Sequence, residues 1–499
     1  MSGERPFMRE ALEALGERRL LVTAPTGYGK TSVTLEAARR TCTGDGWFKL
    51  AVAYPTRALI GEQSRVLRAG LQPGCAEMVG VRHMGVRESP FLVCPVTLTT
   101  LDTLALTSVG LSPEDVLSST GGSSQGHFMF SRASVELSDV VLDEAHLVYD
   151  SQKSLAFLSY LMKLIEHSGS RLMLLSATMP RTFRDYLRRT SPGLRVEEFS
   201  CDRDRAFCEE RRSKRYRVER QSFRDRDSAA SGILEFMRGR KFRRALVVFN
   251  TVREAADFYR RLEAPRKVLL HSMFTEEDKA RRIAEALSMD EGVLVGTQSV
   301  EVGINYSADL IVTEAAPLNS LVQRFGRFLR RGETEGSALV WWIEGELPGD
   351  RYDGIYDGSL VRRTLEVLDD DVNLHVEYGD LLDRVYREEP APSEDLYNSY
   401  LGIMADIKSV RRAVDALLVN MGSFVRDESM VTAVTSDGVE LAVDLGFALR
   451  HLAKVRCGEE RRNPPKNVFE AVRYSAAGCT FVLRPSVTYD PEVGLHEAG

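Results

Sequence analysis

The stretch "APTGYGKTS", Ala24 to Ser32, decides how the rest of the chain is read. A loop of the form GxxxxGK[ST] needs glycines so that backbone N–H groups can wrap a triphosphate. It also needs a lysine to reach the terminal oxygens and a hydroxyl to ligate Mg²⁺. Gly27, Gly29, Lys30 and Thr31 fill those places between Thr26 and Ser32, and Ala24 stands in for the first glycine. An isolated match of this kind also occurs in inert loops. Here "RRLLVTAPT" before it is a leucine-rich, β-branched strand and "SVTLEAARR" after it is helix-forming, the setting in which a phosphate is held. ATP with Mg²⁺ is the expected cofactor pair.

At 499 residues the chain is too long for one core, so three or four units are expected. A hydrophobic fraction of 43% beside 28% charged residues is ordinary for a soluble globular protein. No apolar run approaches the roughly 20 residues of a membrane span, and "MSGERPFMRE" is no signal peptide, so no membrane partner and a cytoplasmic location are expected. The seven cysteines include no CxxC pair; inert thiols are expected, with neither zinc nor a disulfide framework. With a net charge of -6, a nucleic-acid partner has to be held by a local groove.

Apolar runs alternate with amphipathic segments: "LAVAYPT", "FLVCPVTLTT", "DVVLDEAH" and "RLMLLSAT" as strands, "SLAFLSYLMKLIEH" as a helix. This rhythm is that of a parallel α/β sheet. Dense mixed charge over 200–227 reads as a linker into a new domain rather than a nucleic-acid arm. A second alternation follows in "RRALVVFNTV", "RKVLLHSMF", "EGVLVGTQ", "ADLIVTEAAPL" and "GSALVWWIEG". The expected division is 1–200 and 201–345 as two α/β lobes, 346–425 as a helical linker and 426–499 as a β-rich accessory domain. "SSTGGSSQGHF", from Ser118, has the composition of a flexible loop.

"VVLDEAH" ends a buried strand in a carboxylate pair: Asp143 can hold Mg²⁺ through its waters, and Glu144 can take a proton from the attacking water. "RLMLLSATMP" brings Ser176 and Thr178 beside that site, where their hydroxyls and His146 can report its state. "LVQRFGRFLRR" is read as a helix that places Gln323, Arg327 and Arg330 within two turns; a solvated basic face is the plain alternative. Aimed at a phosphate held by the other lobe, those guanidinium groups would stabilise transferring charge only when the lobes close. Polar residues at strand ends are the candidate nucleic-acid contacts: Thr56 and Arg57, Thr99 and Thr100, Asn250 and Thr251, His271 and Ser272, Thr297 and Glu301. Each alone is more readily a turn or cap residue, and only their ordered recurrence carries the reading.

The ordered set "APTGYGKTS", "YPTRAL", "VVLDEAH", "LLSATMP", "VGTQSVEVGIN" and "QRFGRFLR", over about 20–330, resembles a superfamily 2 DExH helicase. Weaker features, "TVREAADFYRRL", "LLHSMFTEEDKARR" and "YDPEVGL", are similar to the helicase subunit of type I CRISPR interference. The resemblance implies two tandem RecA-like domains, ATPase activity and 3′ to 5′ travel on single-stranded DNA, with an RNA-guided surveillance complex as partner. Two positions depart from the family pattern: Met8 stands near the place of an adenine-reading glutamine, and Asn305 where aspartate is common. Fused family members carry an HD nuclease built on a His-Asp pair. About twenty residues precede the phosphate loop here and none of the eight histidines is followed by aspartate, so a separate HD nuclease subunit is expected. A DNA-repair or RNA helicase, and an ATP-gated binding module that does not unwind, stay open on the residues alone.

Overall fold

Each strand-like run of the first half is apolar on both faces, and the chain buries both by laying the runs parallel with helices on either side. The computed structural model describes residues 5–497 apart from 115, 117, 118, 120–125, 150, 348–350, 353, 377 and 428, so most of the Ser118 loop lies outside the described residues. The first sheet comprises β1 (Arg19–Thr23), β2 (Leu50–Tyr54), β3 (Val79–His83), β4 (Val86–Arg87), β5 (Val96–Thr100), β6 (Asp139–Leu142), β7 (Leu172–Ser176) and β8 (Arg195–Glu198). Its order is β4-β3-β5-β2-β6-β7-β1-β8, parallel except for the short β3–β4 pair. The carboxyl ends of β1, β2, β5, β6 and β7 therefore share one rim, where α/β sheets place ligands.

The second sheet has β9 (Val218–Phe223), β10 (Arg244–Val248), β11 (Lys267–Leu270), β12 (Gly292–Gly296), β13 (Leu310–Glu314) and β14 (Ser337–Ile343), in the order β11-β12-β10-β13-β14-β9. All its pairs are parallel, so its carboxyl rim is likewise one-sided. The charged stretch after 200 is more than a linker: it forms a helix, Arg205–Arg212, that buries Phe207, Cys208 and Arg211.

Beyond 346 the fold is helical and then β-rich. "NSYLGIMADIKSVRRAVDALLVNM" folds as two helices, Glu394–Ala405 and Arg411–Val419. The first packs on the helix Gln152–Ser168 of the first lobe, with Tyr400 stacked on Tyr160 at 4.4 Å. A five-stranded mixed sheet from 430 to 483 and a hairpin, Val487–Asp490 with Gly494–Glu497, complete the chain. The hydrophobic core of the first lobe runs without a break into this region.

The cysteine expectation is overturned. Cys42–Cys75, Cys201–Cys208 and Cys457–Cys479 are disulfide-bonded and only Cys94 is free. Separations of 33, 7 and 22 residues hid these pairs from a search for close spacing, because the fold brings the Cα atoms within 4.2–5.6 Å. Among the described residues no helix is long and apolar enough to cross a membrane.

Candidate active site

The phosphate loop leaves β1 at Thr23 and enters the helix Thr31–Thr43, whose amino end faces the loop. Gly27 (φ +75°) and Gly29 (φ +108°) hold left-handed backbone that a side chain would strain. Lys30 is buried, its Nζ donating to Ala24 O at 3.0 Å. Ser32 donates to Gly29 O at 2.9 Å, so its hydroxyl braces the loop, whereas Thr31 lines the cavity beside it.

β6 lies between β2 and β7, and the chain turns sharply after it: Glu144 has φ 52° and donates its N–H to Asp143 Oδ1 at 2.9 Å. Burial and the neighbouring Glu144 push the Asp143 carboxyl up to about 7. A buried carboxylate pair is what a divalent cation relieves; Asp143 and Thr31 share the cavity with Lys30, so the residues present fit nucleotide-bound Mg²⁺.

His146 joins the motifs. Ser176 Oγ donates to Thr178 O (2.7 Å) and lies 3.1 Å from His146 Nδ1, so that nitrogen carries the proton. His146 Nε2 then faces Gln323 Nε2 from the other lobe at 3.5 Å. Burial pushes the His146 imidazole down to about 4, keeping it neutral in this chain of contacts. Thr178 Oγ1, Gln323 Oε1 and Glu144 Oε2 are buried without a hydrogen-bond partner among the described residues, leaving acceptors for a bound water.

The arginine segment differs from expectation. The helix Leu318–Phe325 carries Gln323 but ends at Gly326; Arg327 and Arg330 follow in an extended turn. Phe328 pairs with Ala308 across a single bridge and Leu329 takes φ 47°, so the chain has left the helix there, with Phe325 and Phe328 both buried. Gly326 meets the phosphate loop closely: a Cβ there would lie 2.5 Å from Thr26 Oγ1. Lys30, Asp143 and Glu144 from one lobe and Gln323, Arg327 and Arg330 from the other thus surround one cavity of about 270 Å³. Burial and the charges of Arg327 and Arg211 push Arg330 down to about 9. Arg324, unremarked in the sequence, is wholly buried and bonds Glu301, Thr313, Asn250, Tyr356 and the Glu314 backbone.

The candidate nucleic-acid residues divide. Arg57 and Thr100 line a cavity of about 330 Å³ between the first lobe and the carboxyl-terminal region, joined by Arg82, Arg87, Asp102 and Arg426. Arg57 also reaches Glu276 of the second lobe at 3.6 Å. The hydroxyls of Thr56, Thr100 and Thr251 cap the helices that follow them. Thr297 is buried, and Glu301 is spent on Arg324. His271 is buried beneath the terminal hairpin, its Nε2 3.1 Å from Val493 O. Sequence reasoning missed Arg426, which belongs to no motif and meets Asp102 only through 324 residues of separation (2.7 Å).

The fold and site are similar to those of a superfamily 2 helicase core. The DEAD/DEAH box helicase family matches residues 5–186, and the family "CRISPR-associated nuclease/helicase Cas3, C-terminal" matches residues 241–333. The "CRISPR-associated helicase Cas3" of Thermoproteus tenax is 25% identical over 366 residues, 70% of this chain and 59% of that protein. The "CRISPR-associated nuclease/helicase Cas3" of Methanothermobacter thermautotrophicus is 22% identical over 409 residues, 75% of this chain and 46% of its own length. The chain thus spans 59% and 46% of the length of these curated relatives. The crystal structure of T. fusca Cas3 with AMPPNP shares the fold over 99% of this chain and 71% of that one, with a TM-score of 0.65 at 18% identity. A chain of a "CRISPR RNA-guided surveillance complex, pre-nicking" does so over 98% and 70%, with a TM-score of 0.61 at 18% identity. Over these two matched segments and in its overall fold the chain is similar to helicases of the Cas3 kind.

Proposed function

We propose that the chain is an ATP-dependent, nucleic-acid-stimulated helicase that travels 3′ to 5′ on single-stranded DNA in CRISPR interference. One observation carries the reading: a single cavity is walled by Lys30 and Glu144 from one lobe and by Gln323, Arg327 and Arg330 from the other, so it is complete only when the lobes meet. Lys30 and the loop amides hold the phosphates. Thr31 and Asp143 would hold Mg²⁺, which supplies charge neutralisation to the triphosphate. Glu144 orients the attacking water and takes its proton, while Arg327 and Arg330 stabilise the charge that develops on the transferring phosphoryl group. The contacts among Ser176, His146 and Gln323 connect that event to the other lobe. DNA runs past Arg57, Thr100 and Arg426, whose cavity offers guanidinium groups to phosphates.

The names of the related proteins support the biological setting. An RNA-guided surveillance complex delivers the DNA, a separate HD nuclease subunit cuts it, and the chain works in the cytoplasm, with 1–200 and 201–345 as motor lobes, 346–425 as linker and 426–499 as accessory domain. Steady-state ATPase and unwinding of tailed duplexes test this. Lys30→Ala and Glu144→Ala should each lower DNA-stimulated turnover by about two orders of magnitude or more. Duplexes with 3′ tails should open, and the DNA should stay intact until the HD subunit is added. Turnover indifferent to nucleic acid, or unwinding from 5′ tails alone, would overturn the reading.

A further inference from the structure

The segment joining the lobes is fastened to the phosphate loop. Tyr28, in the loop itself, donates its hydroxyl to Asp204 at 2.8 Å and packs edge-on against Phe207 (4.9 Å) and beside Phe199 (4.8 Å). Arg5 lies over the rings of Tyr28 and Phe207 at 5.0 and 4.6 Å. Cys201–Cys208 closes the turn that carries Asp204, and the Asp204 side chain caps the helix Arg205–Arg212. These contacts fix which way that helix faces. Phe207 and Arg211 are four residues apart and share a face, so the face that meets Tyr28 also turns Arg211 toward the loop.

Arg211 reaches the loop in the same place as an arginine of the second lobe. Its terminal nitrogen lies 3.8 Å from the position of a Cβ on Gly27, and a terminal nitrogen of Arg330 lies at the same 3.8 Å. Arg211 is 8% exposed, and its Nε has no hydrogen-bond partner among the described residues; the Glu210 carboxylate forms an ion pair with it at 3.3 Å but no hydrogen bond. The buried guanidinium group of Arg211 and the partly buried one of Arg330, beside one glycine, repel each other, with Glu62 and Glu210 as the carboxylates facing them. An anion between them and the loop removes that repulsion and supplies the missing acceptor.

We infer that Arg211 is a further ligand of the nucleotide's terminal phosphate, supplied by the inter-lobe segment and acting beside Arg330. The inference rests on the ATP site proposed above and adds to it a third arginine from outside the segment that bears Arg327 and Arg330. It also gives the connector a direct reading of whether the third phosphate is present, because the helix bearing Arg211 leads into the first strand of the second sheet.

Affinities for AMP-PNP and for ADP, measured separately by displacement of a fluorescent nucleotide, test it in Arg211→Gln, Arg211→Lys and Lys30→Ala proteins. A terminal-phosphate ligand should show itself as a loss confined to the triphosphate. Arg211→Gln should weaken AMP-PNP tenfold or more and ADP less than threefold, at an unchanged Tm. Arg211→Lys, which keeps the charge and loses the fork, should weaken AMP-PNP about threefold. It decides the matter by that same selectivity should the Gln protein fail to fold. Equal losses for both nucleotides, or no loss for either, would overturn the proposal while the Lys30→Ala protein, losing both, upheld the site. Undiminished binding by Lys30→Ala would sink the site and Arg211 with it.

Discussion

Gly326→Ala should separate nucleotide binding from turnover. The backbone at Gly326 is helical, φ -63° and ψ -6°, so alanine strains no dihedral there, and its one tight local contact is Gln323 O at 3.1 Å. The added methyl instead crosses the cleft: it would stand 2.5 Å from Thr26 Oγ1 and 3.0 Å from Thr26 Cβ. Turning the Thr26 side chain removes the first contact and leaves the second, because Cβ does not move with χ1. Carbon atoms rest at about 3.5–4.0 Å, so the second lobe has to retreat by about half an ångström to one ångström at this point. Arg327 follows Gly326 directly and moves with it. Misplacement on that scale costs up to about 100-fold in rate, so kcat of the DNA-stimulated ATPase should fall about 10- to 100-fold. ADP, gripped by the first lobe, should bind within about threefold of the parent. Steady-state hydrolysis and fluorescent ADP titration on the same preparation read both quantities. A kcat within twofold of the parent would show that the close approach of Gly326 to Thr26 is not part of the working site.

Arg324→Met should destabilise the protein by about 3–5 kcal/mol, because it leaves the buried Glu301 carboxylate without its ion-pair partner. Adding Glu301→Leu should recover much of the loss in Tm, and no recovery would mean that packing, not charge, dominates there. His146→Ala should keep AMP-PNP affinity while lowering stimulation of the ATPase by DNA, since it cuts the contact between Ser176 and Gln323; unchanged stimulation would remove His146 from the coupling route. Burial pushes His146 down to about 4, and His271 and His375 down to about 3. The unfolded chain therefore takes up these protons first, and stability that is whole above about pH 6.5 is lost below it, by about 1.4 kcal/mol per histidine and pH unit. Tm should fall from pH 7 to pH 5, and less steeply in His375→Gln whatever its offset; an equal slope would refute this assignment of the acid response.

The motifs were legible because their chemistry is local. A phosphate loop needs its glycines and lysine within a few residues, and Lys30 and Glu144 reach one cavity because parallel strands end on one rim. The same rule decides less for Thr56, Thr100 and Thr251. A hydroxyl at a strand end precedes a helix in this fold, and capping that helix uses the same oxygen that a phosphate contact would. Arg327 and Arg330 line the cavity of the phosphate loop, but from beyond the end of the helix on which periodicity placed them. The bridge from Phe328 to Ala308 that draws them off it spans twenty residues of sequence and carries no periodicity.

His271 shows why the remainder was illegible. In sequence it stands at the end of a strand, as a phosphate contact would, yet the partner that decides its role is Val493, 222 residues away. Gly494 has φ +77°, and a Cβ there would lie 2.7 Å from both His271 Cε1 and Met273 O, so the terminal hairpin can seat only with glycine at that point. Leu495 N–H donates to Met273 O at 2.9 Å and Tyr489 OH bonds Asp278, which makes the hairpin a cover for the second lobe even as the residues before it are cored with the first. The carboxyl-terminal region thus touches both lobes, and what reads as an appended tail in the sequence is attached at each side of the cleft between them.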